Sequence, residues 1–269
     1  MHTERAVSRN GCRPSTRELH QHVIERAIRA MRENIDHDFP LESIAKSAMC
    51  SPFHFIRVFR QMLGVTPSHF LSALRLQTAK KLLLTTNLSV IDVCFEAGYN
   101  SLGSFTTRFT QLVGMPPNKL RTLGGQCRDI GQLVEKKSVT RFTDSRASVF
   151  GTVSSLQPFD GPVFIGLFKE AIPQGSPACC TITDGCGDFE LPTVPDGSYF
   201  LFVAGLPWAE PAVSYLTSEN ILRASSGRVP LMLKAEGSAR RVDMVLRSER
   251  LTDPPILIAL PLLLNARRT

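Results

Sequence analysis

Shifted by 50 positions, the chain falls into register with itself. Ser51 lands on Ser101, Phe55 on Phe105, Phe59 on Phe109, Gln61 on Gln111, Gly64 on Gly114 and Pro67 on Pro117. In each copy the two phenylalanines stand four apart, which places them on one face of a helix. A serine precedes them where a hydroxyl can cap the first turn, and a glycine follows where the helix must stop. Two copies are too few for a solenoid. The repeat therefore predicts two related modules joined by the residues between them.

Helical periodicity fills the chain from 18 to 123. Residues 18–34 place Leu19, Val23, Ala27, Ile28 and Met31 at helical spacing. Residues 41–48 and 51–63 read as a short helix followed by a longer one, and 90–97 and 101–113 repeat that pair. Residues 67–84 read as a joining helix that opens on a proline. Each pair has the proportions of a helix–turn–helix, whose second helix enters the major groove of DNA. Leu41, Ile44 and Ala45 are expected to pack inward in the first copy, and Ile91, Cys94 and Phe95 in the second. An 18-residue joining helix spans about 27 Å. That would set the two second helices near one DNA repeat, about 34 Å.

The stretch SPFHFIRVFR at 51–60 carries the chemistry. Phe55, Val58, Phe59 and Met62 share one face and predict burial. Phe53, Ile56, Arg57 and Arg60 share the other. Apolar groups beside arginines suit DNA, where a thymine methyl and a guanine edge lie side by side. Arg57 is expected to read a guanine and Arg60 to hold a phosphate. The equivalent face of the second copy offers Leu102, Gly103, Ser104, Thr106, Thr107, Thr110 and Gln111, with Arg108 at its flank for a phosphate. It is the weaker face, because it lacks charge. Gly103 there allows close approach at some cost in helix stability.

Charge agrees with this division. Residues 1–146 hold 21 basic against 12 acidic side chains, and residues 147–269 hold 10 against 12. The basic half suits a polyanion. From 147 onward the texture changes to short alternating runs at 148–154, 162–168, 179–183, 188–191, 198–203, 229–233 and 241–246. Gly, Pro and Asp clusters separate them, which predicts an all-β sandwich. Residues 206–228 read as an excursion across one end, and 254–264 (PPILIALPLLL) as a terminal strand. That run is too short to span a membrane. The organisation expected is multidomain, α then β: a disordered arm at 1–17, a double helix–turn–helix at 18–123, a linker at 124–146 and an all-β sandwich at 147–269.

Residues 38–123 resemble the DNA-binding domain of AraC/XylS transcription regulators. The match rests on Ile44 and Ala45; the S-x-x-H-F-x-R-x-F-R pattern at 51–60; Gly64, Val65, Thr66 and Pro67; and Arg75 with Leu76. In the second half it rests on Ile91, Asp92, Val93, Gly98, Tyr99, Ser101, Phe105, Phe109 and 114–117. The resemblance implies sequence-specific binding of double-stranded DNA and contact with RNA polymerase. It places Phe53, Ile56 and Arg57 where the family reads bases in the first module, and Leu102, Gly103, Ser104, Thr106 and Thr107 in the second. Thr107 and Thr110 stand where the family often has basic residues. The sensor domain, which most members place first, here comes last. The tail resembles a prealbumin-like sandwich of the carboxypeptidase-regulatory type, through Val149 to Val153, 163–168, 183–189 and 194–199.

These readings make the chain a cytoplasmic, nucleoid-associated regulator rather than an enzyme. Its sandwich would bind a small-molecule effector or form a homodimer. The alternative makes the sandwich a ligand-binding or enzymatic part that DNA binding merely localises. The seven cysteines, odd in number and scattered, read as free thiols. Cys179, Cys180 and Cys186 lack the spacing of a metal site. No catalytic set, cofactor, metal or membrane segment is expected.

Overall fold

The computed structural model describes residues 16–36, 41–47, 50–126, 147–234 and 239–259. The expected arm at 1–17 and linker at 124–146 lie for the most part outside these residues. Seven helices come first: α1 (Thr16–Glu33), α2 (Leu41–Ser47), α3 (Pro52–Leu63), α4 (Pro67–Thr85), α5 (Val90–Glu96), α6 (Leu102–Val113) and α7 (Pro117–Gln126). The two halves of the repeat are α2–α3 and α5–α6. The helix α4 joins them, opened by Pro67 and by Thr66, whose hydroxyl accepts from the His69 backbone N–H.

Most helices here bury one stripe. The joining helix buries residues all round, including Phe70, Leu71, Ala73, Leu74, Leu76, Ala79, Lys80 and Leu83. A helix without an exposed polar face is one enclosed by neighbours, and α4 packs against α3, α5, α7 and the β domain. The second module is tied to the first at its turn. Gly98, at φ +76°, sits so close to the end of α1 that a Cβ there would lie 2.3 Å from the Ile35 carbonyl oxygen. The Nε of Arg75 on α4 donates to that same oxygen at 3.1 Å.

The C-terminal region forms two sheets from β1 (Ala147–Ser155), β2 (Val163–Phe168), β3 (Cys179–Thr183), β4 (Gly187–Val194), β5 (Gly197–Gly205), β6 (Leu222–Ser225), β7 (Leu231–Leu233), β8 (Ala239–Arg241) and β9 (Met244–Leu246). One sheet runs β4-β1-β8, with β9 also on β1. The other runs β3-β2-β5-β6, with β7 also on β5. Val149, Val153, Ile165, Leu191, Leu201, Val203 and Leu246 pack between them.

Three expectations need correction here. The excursion at 206–228 contains structure of its own: a short helix, α8 (Ala212–Thr217), and the strand β6. The run at 241–246 is two strands, because the Asp243 carboxylate, not a backbone carbonyl, accepts the Thr152 N–H at 3.0 Å. The terminal strand is absent over the described residues 254–259. There the backbone joins neither sheet and bends at Ile258. Leu257 N–H donates to Pro173 O at 3.0 Å, and the carbonyls of Ile256 and Ile258 accept from Lys80 Nζ at 3.0 and 3.3 Å. Alternate residues serve two cores: Ile256 and Ile258 face the β2-β5-β6 sheet, while Leu257 and Ala259 face the helices. A segment apolar on both sides fits between two layers, and a membrane is not needed to explain it.

The two regions therefore share a core. Ala171, Ile172, Leu216, Leu257 and Ala259 join the helical cluster. The residues after β2 reach both modules. Ala171 lies against Gly64, Gln174 bonds His69, and Gly175 N–H donates to Leu112 O at 2.7 Å. Lys81 pairs with Glu219 at 2.8 Å; both are exposed, so that pair contributes at most about 1 kcal/mol.

Candidate nucleic-acid interface

Both second helices are twelve residues long, and both end on a left-handed glycine, Gly64 at φ +78° and Gly114 at φ +95°. The inward face of α3 buries Phe55, Val58, Phe59 and Met62 as expected. That of α6 buries Phe105, Phe109 and Val113. The repeated phenylalanines pack as pairs, with ring centres 5.4 Å apart for Phe55–Phe59 and 5.5 Å for Phe105–Phe109. The start of α6 is capped by the Ser101 hydroxyl, which accepts from Ser104 N–H at 3.5 Å. Ser51 has the extended backbone of a cap but makes no such bond.

The brace helix of the second module departs from the expected packing. Val93 and Cys94 are buried with Ala97, while Ile91 and Phe95 stand about half exposed. By the 50-residue shift Phe95 corresponds to Ala45, which is fully buried. A slot that a methyl group fills does not admit a benzyl ring, so the phenylalanine stays outside.

Every residue expected to meet DNA lies on the outer side of its helix. Phe53 is 87% exposed. Ile56 is half-buried, and Arg57 and Arg60 are exposed. The Arg57 guanidinium is braced by its own helix: a terminal nitrogen donates to His54 Nδ1 at 3.1 Å. His54 in turn meets the His20 ring edge-on at 5.8 Å. On α6, Leu102, Gly103, Ser104, Thr107 and Arg108 are exposed and Thr106 is half-buried. Thr110 spends its hydroxyl proton on Thr106 O at 2.7 Å.

Between the modules lies a cleft of about 400 Å³ lined by Ser68, His69, Ser72, Arg75, Tyr99 and Arg108. The sequence reading did not assign this cleft. The signal was the spacing 68, 72 and 75, a polar stripe along an otherwise buried helix. Among the described residues no group of three or more His, Cys, Asp or Glu is placed to hold a metal ion. Cys50, Cys94, Cys179, Cys180 and Cys186 are not joined in disulfides. No described helix is long and apolar enough to cross a membrane.

This is the architecture of a double helix–turn–helix protein. Residues 44–122 match the family model described as a helix-turn-helix domain. An uncharacterized HTH-type transcriptional regulator of Haemophilus influenzae is 34% identical over 95 residues, 35% of this chain and 32% of that protein. The HTH-type transcriptional activator AarP of Providencia stuartii is 30% identical over 99 residues, 37% of this chain and 73% of that protein. A solved transcriptional regulator of Chromobacterium violaceum, described as AraC-type, is 27% identical with a TM-score of 0.38, covering 39% of this chain and 95% of that one. The chain belongs to the AraC family of helix-turn-helix transcription regulators. It spans about a third of the length of the H. influenzae relative, and the family match stops at residue 122, short of the β domain.

Proposed function

We propose that this chain binds double-stranded DNA sequence-specifically through two successive major grooves and so regulates transcription. The observation that carries the reading is the pair of equal recognition helices, α3 and α6, whose outer faces both carry exposed side chains. Phe53, Ile56 and Arg57 contact base edges in one groove, and Leu102, Gly103, Ser104, Thr106 and Thr107 in the next. Arg60 and Arg108 hold phosphates, which position the protein without reading sequence. RNA polymerase is the proposed protein partner. The β domain is proposed to be of prealbumin-like type and to sense a small molecule or pair two copies. Its contacts with the ends of α3 and α6 and with α4 support the sensor reading, because a change in the sheet would be felt by both modules.

Selection of duplexes from a random pool by the full chain, followed by footprinting, tests this. The expected site has two protected major-groove segments about 10–10.5 base pairs apart. A single protected segment, or no enrichment over the starting pool, overturns the reading.

A further inference from the structure

The contact between His54 and Arg57 has a consequence for base recognition. The two stand three apart on α3, so they are neighbours on one helix face. The Arg57 terminal nitrogen donates to His54 Nδ1 at 3.1 Å. A guanidinium offers donors and no acceptor, so Nδ1 is the bare nitrogen of the ring and the imidazole proton sits on Nε2. The contact therefore requires a neutral imidazole. A protonated ring would set donor against donor and positive charge against positive charge.

His54 is itself held. It is half-buried, and the His20 ring of α1 meets it edge-on at 5.8 Å, with the ring planes 62° apart. The support of the exposed Arg57 thus reaches back to a helix that precedes the family match. Arg60, by contrast, has no side-chain hydrogen bond or ion pair among the described residues. The second module has no counterpart either. The 50-residue shift puts Ser104 and Thr107 at these places, and the Ser104 hydroxyl donates to Ser101 O at 3.0 Å. The elements packed against α3 are α1, α2 and α4. From α1 comes His20, with the exposed Arg17 one turn before it; α2 carries Glu42 and Lys46, both exposed; His69 near the start of α4 bonds Gln174 at 3.1 Å. Among the described residues no carboxylate is bonded to His54.

We infer that His54 is a positioning residue for base recognition: its neutral imidazole holds the Arg57 guanidinium ready for a guanine edge, and protonation of His54 releases it. The inference rests on the reading of Arg57 as a base contact. A guanidinium has more N–H groups than one imidazole nitrogen can take, so those that remain can still make a two-bond contact with guanine. A side chain fixed beforehand gives up less freedom when it binds. The matched base gains from this, because only there does Arg57 find its acceptors.

The test titrates the full chain with the selected duplex and with the same duplex changed at the base that Arg57→Ala relaxes. Histidine is the side chain that gains its charge between about pH 8 and about pH 5, so the series spans that range. His54→Leu should cut the preference for the matched base by about fivefold or more at the upper end. His54→Asn, whose side-chain oxygen stands where Nδ1 stood, should restore most of it. The unaltered chain should lose at least about threefold of its preference as pH falls, and His54→Asn should lose none. His20→Gln should keep that fall. If His54→Leu does not unfold cooperatively in urea, the Asn variant and the pH series decide. An equal loss on both duplexes with a smaller salt slope marks a phosphate contact and overturns the inference. So does a preference whose pH profile is the same in His54→Asn as in the unaltered chain. Arg57→Ala that relaxes no base overturns the reading of Arg57 and this inference with it. Arg57→Ala that relaxes one base, beside a His54→Leu that relaxes none, overturns this inference alone.

Discussion

The two helix–turn–helix modules share a frame and differ in what they show to the outside. Each sets two phenylalanines under a twelve-residue helix and closes it with a left-handed glycine. Yet α3 presents Arg57, Arg60 and a bare Phe53, whereas α6 offers a glycine at its start and hydroxyls beyond it, with Leu102 and Arg108 at the edges. The inward pattern is what a common fold requires, so it repeats. The outward pattern answers to a partner, so it is free to diverge. The same division holds at the braces, where Ala45 is buried and its counterpart Phe95 is not.

The largest effect is expected where the frame itself is touched. Gly98→Ala forces a side chain into a left-handed backbone, costing about 1–2 kcal/mol, and drives its Cβ to 2.3 Å from Ile35 O. The total should exceed about 3 kcal/mol in urea unfolding. Gly114→Ala, with nothing within 4 Å of its Cβ, should show the backbone part alone. Equal losses would mean that the contact with α1 does not hold the second module.

Lys80 tests what both modules share. It is fully buried, and burial pushes its amine down to about 7, whereas the unfolded chain keeps it near about 10.4. Between those values the unfolded state binds a proton that the folded state has released. Stability should therefore rise with pH from about 7 to about 10.4, by at most about 1.4 kcal/mol per pH unit, and fall as pH drops toward 7. Lys80→Met should remove that rise, which parallel urea midpoints of the two proteins at several pH values would show. A parallel pH profile in the two proteins would refute it.

Next comes the contrast between the outer faces. Arg57→Ala should cost about 1–3 kcal/mol of specific binding and relax one base position. Thr107→Ala, its equivalent by the 50-residue shift, should cost less, as titration of the selected duplex will show. The reverse order would place the main specificity in α6. A smaller effect is expected at Gly103, whose Cβ would meet nothing nearer than the Ser101 hydroxyl at 4.0 Å. Gly103→Ala should stabilise the free chain by up to about 1 kcal/mol and still weaken DNA binding, if the helix start approaches the duplex closely. Smallest in its consequence for specificity is Arg60→Ala. It should weaken all sequences alike and reduce the salt slope of binding by about one.

Much of the helical half was legible. The phenylalanine spacing, the turn glycines and the prolines at helix starts are local signals, and each was read from neighbours in sequence. The outer faces of α3 and α6 were legible for the same reason, since a helix with one face buried shows the other. The cleft along Ser68, Ser72 and Arg75 was missed because α4 is buried nearly all round, and a short polar stripe on it looks like noise until the modules are placed. The β half was legible as strands but not in detail. Its split strand depends on the Asp243 side chain, and its terminal segment on Lys80, 176 residues away from Ile256.

What the sequence by itself determined is the repeat, the helix period and the chemistry of each helix face, because those depend on residues three, four and fifty positions apart. Only the tertiary structure decided that PPILIA, residues 254–259, is not a strand. Its two-sided apolar pattern is that of a buried strand. Which partners take its carbonyls depends on where α4 comes to rest, and that is set by the packing of both modules and the sheet together.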